Sequence, residues 1–93
     1  MRVEPRPAEV RRMVLRVLRD LGVPAAGLFD LEENVVVDRG RSIGRSYRVE
    51  RFMAMWLADV GLVQFYDANG AMLRTINLFE ELSANLAPQR MAA

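Results

Sequence analysis

The chain has 93 residues, a mass of 10.6 kDa, 52% hydrophobic and 27% charged residues, and a net charge of +1. This length leaves room for one hydrophobic core, and the composition is globular rather than disordered. Histidine, cysteine and lysine are absent, which excludes disulfides, imidazole or thiolate catalysis, lysine Schiff bases and the usual zinc ligands. We therefore expect a single domain over 1–93, with flexible tails at 1–7 and 87–93 and no cofactor or metal ion.

The first predicted element is a helix over residues 8–21. Its apolar residues recur at helical spacing and cover one face, namely Val10, Met13, Val14, Val17, Leu18 and Leu21. Gly22 is placed to end the helix, and Pro24 prevents its continuation. A second face carries Arg12, Leu15, Arg16 and Arg19, and this stripe is a candidate partner surface whose simpler interpretation is a solvated helix face.

Residues 22–33 are predicted to form a connection that contains at most one helical turn. Gly and Pro punctuate this segment, while Leu28, Phe29 and Leu31 are expected to pin it to the core. This acidic segment lacks the glycine and the distal glutamate of a calcium-binding EF-hand loop. We expect it to form a solvated acidic loop.

Two β-hairpins are predicted, over about 34–48 and 62–77. The first turns at Asp38-Arg39-Gly40, after a β-branched valine run. The second turns at residues 67–70, where Asn-Gly supplies residues that tolerate positive φ. Both hairpins belong to one small antiparallel sheet.

The segment between the hairpins, 50–60, fits two structures. As a helix it gathers Phe52, Met53, Trp56, Leu57 and Val60 on one arc, with Gly61 as the stop. As a strand it is apolar on both faces and converts the chain into a five-stranded meander. Because these apolar residues separate cleanly from the residues of the opposite arc, the helix is favoured, and the strand is the alternative.

A closing helix is predicted over 78–86, with Asn77 as its N-cap and Pro88 beyond its end. The pieces together give an α+β domain whose antiparallel sheet is covered on one face. An exposed face or edge of such a sheet is a natural place for a second copy of the chain. We expect a homodimer that forms through strands or through the region of Met53, Met55 and Trp56, although core packing is the simpler role for Met53 and Trp56.

Charge alternates in blocks along the chain. Residues 1–19 sum to +4, residues 20–37 to −4, residues 38–51 to +3 and residues 52–93 to −2. Such blocks are typical of basic and acidic segments that neutralise each other in the fold. A partner with an acidic surface is the alternative.

The basic block of the first hairpin is the leading candidate partner surface. It contains Arg39, Arg41, Arg45, Arg48 and Arg51, with Tyr47 among them as a ring on which a base can stack. The near-zero net charge and the lack of a known nucleic-acid motif weigh against nucleic acid. The sequence therefore favours a non-enzymatic protein-interaction or assembly module, and a nucleic-acid-binding module that uses the arginine-rich hairpin is the alternative.

Enzyme activity is disfavoured by the side chains that remain. Asp38 and Asp67 are a possible carboxylate pair, but hairpin turns themselves favour aspartate at these positions. The stretch 40–46 has the composition of a phosphate loop without the strand-to-helix turn that cradles phosphate. Every apolar run is interrupted by charge well before the roughly 18 residues that span a bilayer, so we expect no membrane association and a cytoplasmic location.

Overall fold

A computed structural model describes residues 5–81, in which an N-terminal helix packs on one face of a five-stranded antiparallel sheet. The elements in chain order are α1 (Pro7–Asp20), a 3-10 turn (Ala25–Asp30), β1 (Glu32–Asp38), β2 (Arg41–Val49), β3 (Phe52–Leu57), β4 (Leu62–Tyr66), β5 (Met72–Asn77) and α2, described over 78–81. The strands lie side by side in sequence order. The predicted α+β class is confirmed.

Helix α1 confirms the first predicted element and buries its predicted face. The buried residues are Val10, Met13, Val14, Val17 and Leu18. At the C-terminal end Gly22 has φ +116°, the Val23 amide donates to the Leu18 carbonyl at 3.0 Å, and the Gly22 amide donates to Arg19 at 3.1 Å. These are the two hydrogen bonds of a Schellman motif, so the glycine ends the helix as expected.

The connection after α1 contains the single helical turn that the sequence allows. Leu28 and Leu31 pack against the core, but Phe29 points into solvent with 91% of its surface exposed. The expectation that Phe29 pins this segment is therefore wrong. The prediction of a solvated acidic loop is also wrong for Glu32 and Glu33, since both belong to β1 and only Glu32 is exposed.

Both predicted hairpins are present, joined by different turns. In the first, Arg39 and Gly40 have φ +53° and +78°, the two positive values of a type I′ turn. In the second, the Asp67 carboxylate accepts hydrogen bonds from the Asn69 and Ala71 amides at 2.9 and 3.0 Å, and within 67–71 only Gly70 has positive φ. Asn69 therefore does not use the positive φ that the Asn-Gly pair allows.

The predicted helix over 50–60 is wrong, and the strand alternative is confirmed. Residues 52–57 form β3, which pairs with β2 on one side and β4 on the other. An apolar run that is continuous satisfies the helical period and the strand period at once, so periodicity alone does not separate them. The strand prevails because a helix here would leave both hairpins with an unpaired inner edge.

The sheet has two faces with different surroundings. The core face packs against α1 and includes Tyr47, Val49, Ala54, Trp56, Val63 and Phe65. The opposite face, here called the open face, consists of Glu32, Asn34 and Val36 of β1, Gly44, Ser46 and Arg48 of β2, Met53, Met55 and Leu57 of β3, Leu62, Gln64 and Tyr66 of β4, and Met72, Thr75 and Asn77 of β5. The register sets these fifteen positions in three rows of five that run across the strands. Each row is named below by its β3 residue, which is Met53, Met55 in the middle row, or Leu57.

The chain leaves the sheet toward α1. The Asn77 side chain accepts hydrogen bonds from the Phe79 and Glu80 amides at 3.0 and 3.2 Å, which confirms the predicted N-cap. Leu78 is fully buried in the core, and Glu81 lies 3.5 Å from Arg16 of α1. The rest of the predicted closing helix, 82–86, and the tail 87–93 lie outside the described residues, as do 1–4 of the N-terminal tail.

A bulge in β2 places a backbone constraint on Gly44. Ile43 is the extra residue where the pairing shifts between Val36 and Val37, and its carbonyl accepts the Ala58 amide at 3.1 Å. A Cβ atom on Gly44 would collide with the backbone carbonyl oxygen of Trp56. Alanine at this position therefore forces β2 and β3 apart.

We expect Gly44→Ala to lower the free energy of unfolding by about 1–3 kcal/mol, since the clash is with backbone that cannot rotate away. Urea unfolding followed by tryptophan fluorescence measures the change. Ser42→Ala, at an exposed position of the same strand, is the matched control and should shift stability by less than about 0.5 kcal/mol. Equal stability of Gly44→Ala and the control would show that the strands are not held this closely.

Candidate functional site

The arginines of the first hairpin do not form one patch. Arg39 and Arg41 lie at the turn end of β2, whereas Arg48 and Arg51 lie at its other end. A strand of nine residues places these two ends about 26 Å apart. Sequence proximity therefore overstates the local positive charge, and a phosphate group reaches only one end at a time.

Tyr47 and Arg45 are on the core face rather than on the surface of the hairpin. Tyr47 is 0% exposed, so the expectation that its ring stacks on a base is wrong. Strand alternation explains the placement, because Arg45, Tyr47 and Val49 share the face that α1 covers. Arg45 lies at the rim of that face and is half-buried.

A three-residue ionic cluster joins α1 to this rim. One oxygen of the Glu33 carboxylate accepts a hydrogen bond from Arg11 of α1 at 2.8 Å, and the other accepts one from Arg45 of β2 at 3.0 Å. Burial alone would raise the pKa of Glu33, but the hydrogen bonds and positive charges of the two arginines outweigh it and lower the pKa. Glu33 is therefore ionised when the cluster is formed.

The Tyr47 hydroxyl lies beside this cluster in the protein interior. Burial and the nearby Glu33 carboxylate raise the pKa of Tyr47, which keeps the hydroxyl protonated at physiological pH. Within residues 5–81 the hydroxyl makes no hydrogen bond of acceptable geometry. The neutral hydroxyl thus lies beside an ionised carboxylate that joins α1 to β2 through two arginines.

The arginine stripe of α1 is partly occupied by the fold itself. Arg16 pairs with Glu81, and Asp20, which borders the stripe, lies 4.0 Å from Arg74 of β5. Arg12 and Arg19 are exposed and make no ion pair with any described residue. Leu15 is half-buried. The stripe therefore offers two unpaired arginines rather than three.

The ion pairs explain the alternating charge blocks. Arg11 and Arg45 come from the two basic blocks, and both meet Glu33 of the first acidic block. Arg16 of the first basic block meets Glu81 of the last acidic block. Three of the four ion pairs in the described part of the chain thus join blocks of opposite sign, as mutual neutralisation predicts.

The open face has an apolar centre on the side of the sheet opposite α1. Its centre is formed by Met53, Met55, Leu57 and Leu62, all half-buried by their strand neighbours. Both ends of the described chain pack on the other side of the sheet, since α1 and Leu78 belong to the core cluster. No element of residues 5–81 therefore covers this face.

Sequence reasoning identified only part of this surface. Met53 and Met55 lie on the open face, whereas Trp56 lies in the core, 8% exposed, as its simpler role suggested. Leu57, Leu62 and Tyr66 were missed as surface candidates. The available signal was the strand interpretation of 50–60, because a strand that is apolar on both faces needs cover on both.

The possible carboxylate pair is not assembled. Asp38 ends β1 at the first hairpin turn, while Asp67 lies at the opposite end of the sheet and uses its carboxylate to hold its own turn. The stretch 40–46 is strand β2 rather than a loop that leads into a helix. Within 5–81, no group of three or more acidic side chains is arranged to hold a metal ion.

No protein-family model matches the sequence, and neither a curated protein nor a solved structure shows detectable similarity to it. Among the described helices, none is both long and apolar enough to cross a membrane. Function is therefore inferred from the surfaces of this chain alone.

We expect Glu33→Gln to lower the free energy of unfolding at neutral pH by about 1–3 kcal/mol, because it leaves two guanidinium groups beside a neutral amide. The folded pKa of Glu33 is below its ordinary value of 4.5, so the wild-type advantage is present above pH 4.5 and is lost as the pH falls through the folded pKa. Urea unfolding of both proteins at neutral and acidic pH measures the difference.

Asp59→Asn is the control, because Asp59 is an exposed acidic residue of the β3–β4 turn, lies outside the open face and makes no ion pair with any described residue. It should change stability by less than about 0.5 kcal/mol at any pH. If the gap between Glu33→Gln and wild type stays constant into the acidic range, the ionised cluster does not stabilise the fold.

Proposed function

We propose that the protein is a non-enzymatic interaction module that assembles as a homodimer through the open face of its sheet. The observation that carries this proposal is β3, which is apolar on both faces and is covered by described residues on one face only. Met53, Met55 and Leu57 project away from α1 and have no cover within the described chain. Antiparallel sheets with one solvated face normally place polar residues there, so this face is built for a partner.

The open face is large enough for a modest specific interface. Five strands span about 24 Å across the sheet, and the three rows with their side chains span about 20 Å along it. Two such faces bury together on the order of 1,000 Å², the area at which specific interfaces begin. The assembly is therefore expected to be reversible, with a measurable dissociation constant.

We infer that a second copy of the chain occupies this surface. Leu78 and Glu81 carry the last described turn onto the α1 side of the sheet, away from the open face. Only Glu32 and Arg48 are charged among the fifteen positions, and their signs are opposite. Two identical faces therefore meet without net repulsion.

Stability supplies a further reason for self-association. A single core in a chain of this size rarely supplies more than about 3–5 kcal/mol. No disulfide is available, because the chain has no cysteine. Burial of Met55 and its neighbours against a second sheet adds the hydrophobic stabilisation that the small core does not provide.

We expect light scattering at micromolar concentration to give twice the 10.6 kDa chain mass, and Met55→Glu to give the chain mass itself. A carboxylate at the centre of the open face has no partner when the two sheets stack, so dimerisation should weaken by at least 100-fold. Met55 is half-buried at the surface of one chain, so a charged side chain there still reaches solvent in the monomer.

Val60→Glu is the control, since Val60 is an exposed apolar residue of the β3–β4 turn that is outside the fifteen positions. This variant should remain dimeric, and both variants should show the circular dichroism of the folded sheet. A wild-type protein that is monomeric at micromolar concentration contradicts the proposal.

Nucleic-acid binding is retained as the second candidate on one observation. Arg39, Arg41, Arg48 and Arg51 are exposed and have no carboxylate partner among the described residues. Their separation into two ends of β2 limits each end to about two phosphate contacts, which predicts weak binding with a shallow salt dependence. Fluorescence anisotropy with mixed-sequence DNA and RNA tests it: tight binding whose salt slope falls in an Arg39→Ala, Arg41→Ala variant would favour this function over the dimer.

A further inference from the structure

We infer that the two copies stack with the two-fold axis parallel to β3, which sets Arg48 of each chain on the ring of the partner's Tyr66. This inference depends on the proposed dimer and specifies its orientation. It follows from the order of side chains across the open face, since aligned stacking of the two sheets requires a two-fold axis that runs along the strands or across them.

The first alignment keeps each row on itself and reverses the strand order. Strand β3 then lies on the partner's β3, and β2 lies on the partner's β4. Across the row of Met53 this sets Arg48 on the partner's Tyr66, and across the row of Leu57 it sets Gly44 on the partner's Leu62. A cation meets an aromatic ring, and a residue without a side chain meets a large one.

The contacts near the axis match in polarity as well, whereas at the outer edge Glu32 and Val36 face the partner's Met72 and the partner's Asn77. Across the middle row Ser46 lies on the partner's Gln64, which pairs two groups that form hydrogen bonds, and Met55 lies on the partner's Met55 at the axis. Methionine is unbranched and adapts to its own copy. Apolar residues therefore meet at the centre while polar residues meet polar residues beside it.

The Tyr66 ring is already oriented for such a contact. Its hydroxyl donates a hydrogen bond to the Gln64 side-chain oxygen at 2.7 Å, two residues back on the same face of β4. This hydrogen bond holds the ring along β4 on the open face. Arg48 is exposed and makes no ion pair within residues 5–81, so its guanidinium is available to cover that ring.

The second alignment sets the axis across the strands and exchanges the outer rows. Arg48 then faces the partner's Gly44, and Glu32 faces the partner's Val36. The guanidinium of each chain then loses solvent without gaining an aromatic contact, whereas the Glu32 carboxylate faces an apolar residue in both alignments. Such desolvation opposes association, so the first alignment is favoured.

The β2–β3 turn distinguishes the two alignments. Arg51 lies in this turn beside the axis of the first alignment, where sheets about 10 Å apart and strands about 4.8 Å apart place the two Arg51 Cα atoms about 11 Å from each other. The second alignment sends the two turns to opposite ends of the sandwich, about 28 Å apart. Arg39 is the matched position in the β1–β2 turn, about 18 Å from the partner's Arg39 in the first alignment.

The test uses single-cysteine variants, which react at one site because the chain has no cysteine of its own. Arg51→Cys and Arg39→Cys are treated with a bismaleimide that bridges 11 Å but not 18 Å, and light scattering reports the mass of each variant beforehand. We expect both variants to be dimeric, and only Arg51→Cys to give a covalent dimer on a denaturing gel.

A dimeric Arg51→Cys protein that stays uncrosslinked overturns this orientation and leaves the proposed homodimer in place. A monomeric wild type overturns both. For the contact itself, Arg48→Ala and Tyr66→Ala should each raise the dissociation constant of the dimer about 3- to 30-fold, and the double variant no more than the larger single effect. Arg41→Ala, which removes an exposed arginine at the far end of β2, should leave the constant unchanged, and additive effects of Arg48→Ala and Tyr66→Ala would contradict the contact.

Discussion

The structure depends on the requirement that a central strand with two apolar faces be covered twice. Strand β3 sends Ala54 and Trp56 into the core under α1, and Met53 and Met55 to the other side. Helix α1 covers the first face. It is joined to the sheet by ion pairs of Arg11 with Glu33 and of Asp20 with Arg74. The second face has no cover within the described chain, and the proposed assembly supplies it.

The fold was predictable wherever local chemistry decides the structure. Gly22 ends α1, Asn77 begins α2 and Gly40 closes the first hairpin, each through a conformation or hydrogen bond available to few other residues. The segment 50–60 was not predictable in this way, because its apolar run fits two periods and the choice between them depends on strands that are distant in sequence. Hydrogen bonds to β2 and β4 make that choice.

The candidate site was harder to predict than the fold, for a related reason. Arginine-rich sequence drew attention to the first hairpin, but strand alternation sends Arg45 and Tyr47 to the core face and leaves Arg48 on the open face. Which residues share a face follows from pairing and bulges, and Gly44 beside the bulge at Ile43 does not by itself fix which residue is left unpaired. Charge blocks, by contrast, predicted mutual neutralisation, and the ion pairs of Glu33 confirm it.

Methionine oxidation tests the central claim most directly, because the protein carries its own reporters on both faces of the sheet. With dilute peroxide and peptide mass spectrometry, the account predicts that Met55 is protected at concentrations where the dimer forms and oxidises much faster on dilution to monomer. Met13, buried in the core, should react slowly at both concentrations. Equal oxidation of Met55 at high and low concentration would contradict the claim that a second copy covers the open face.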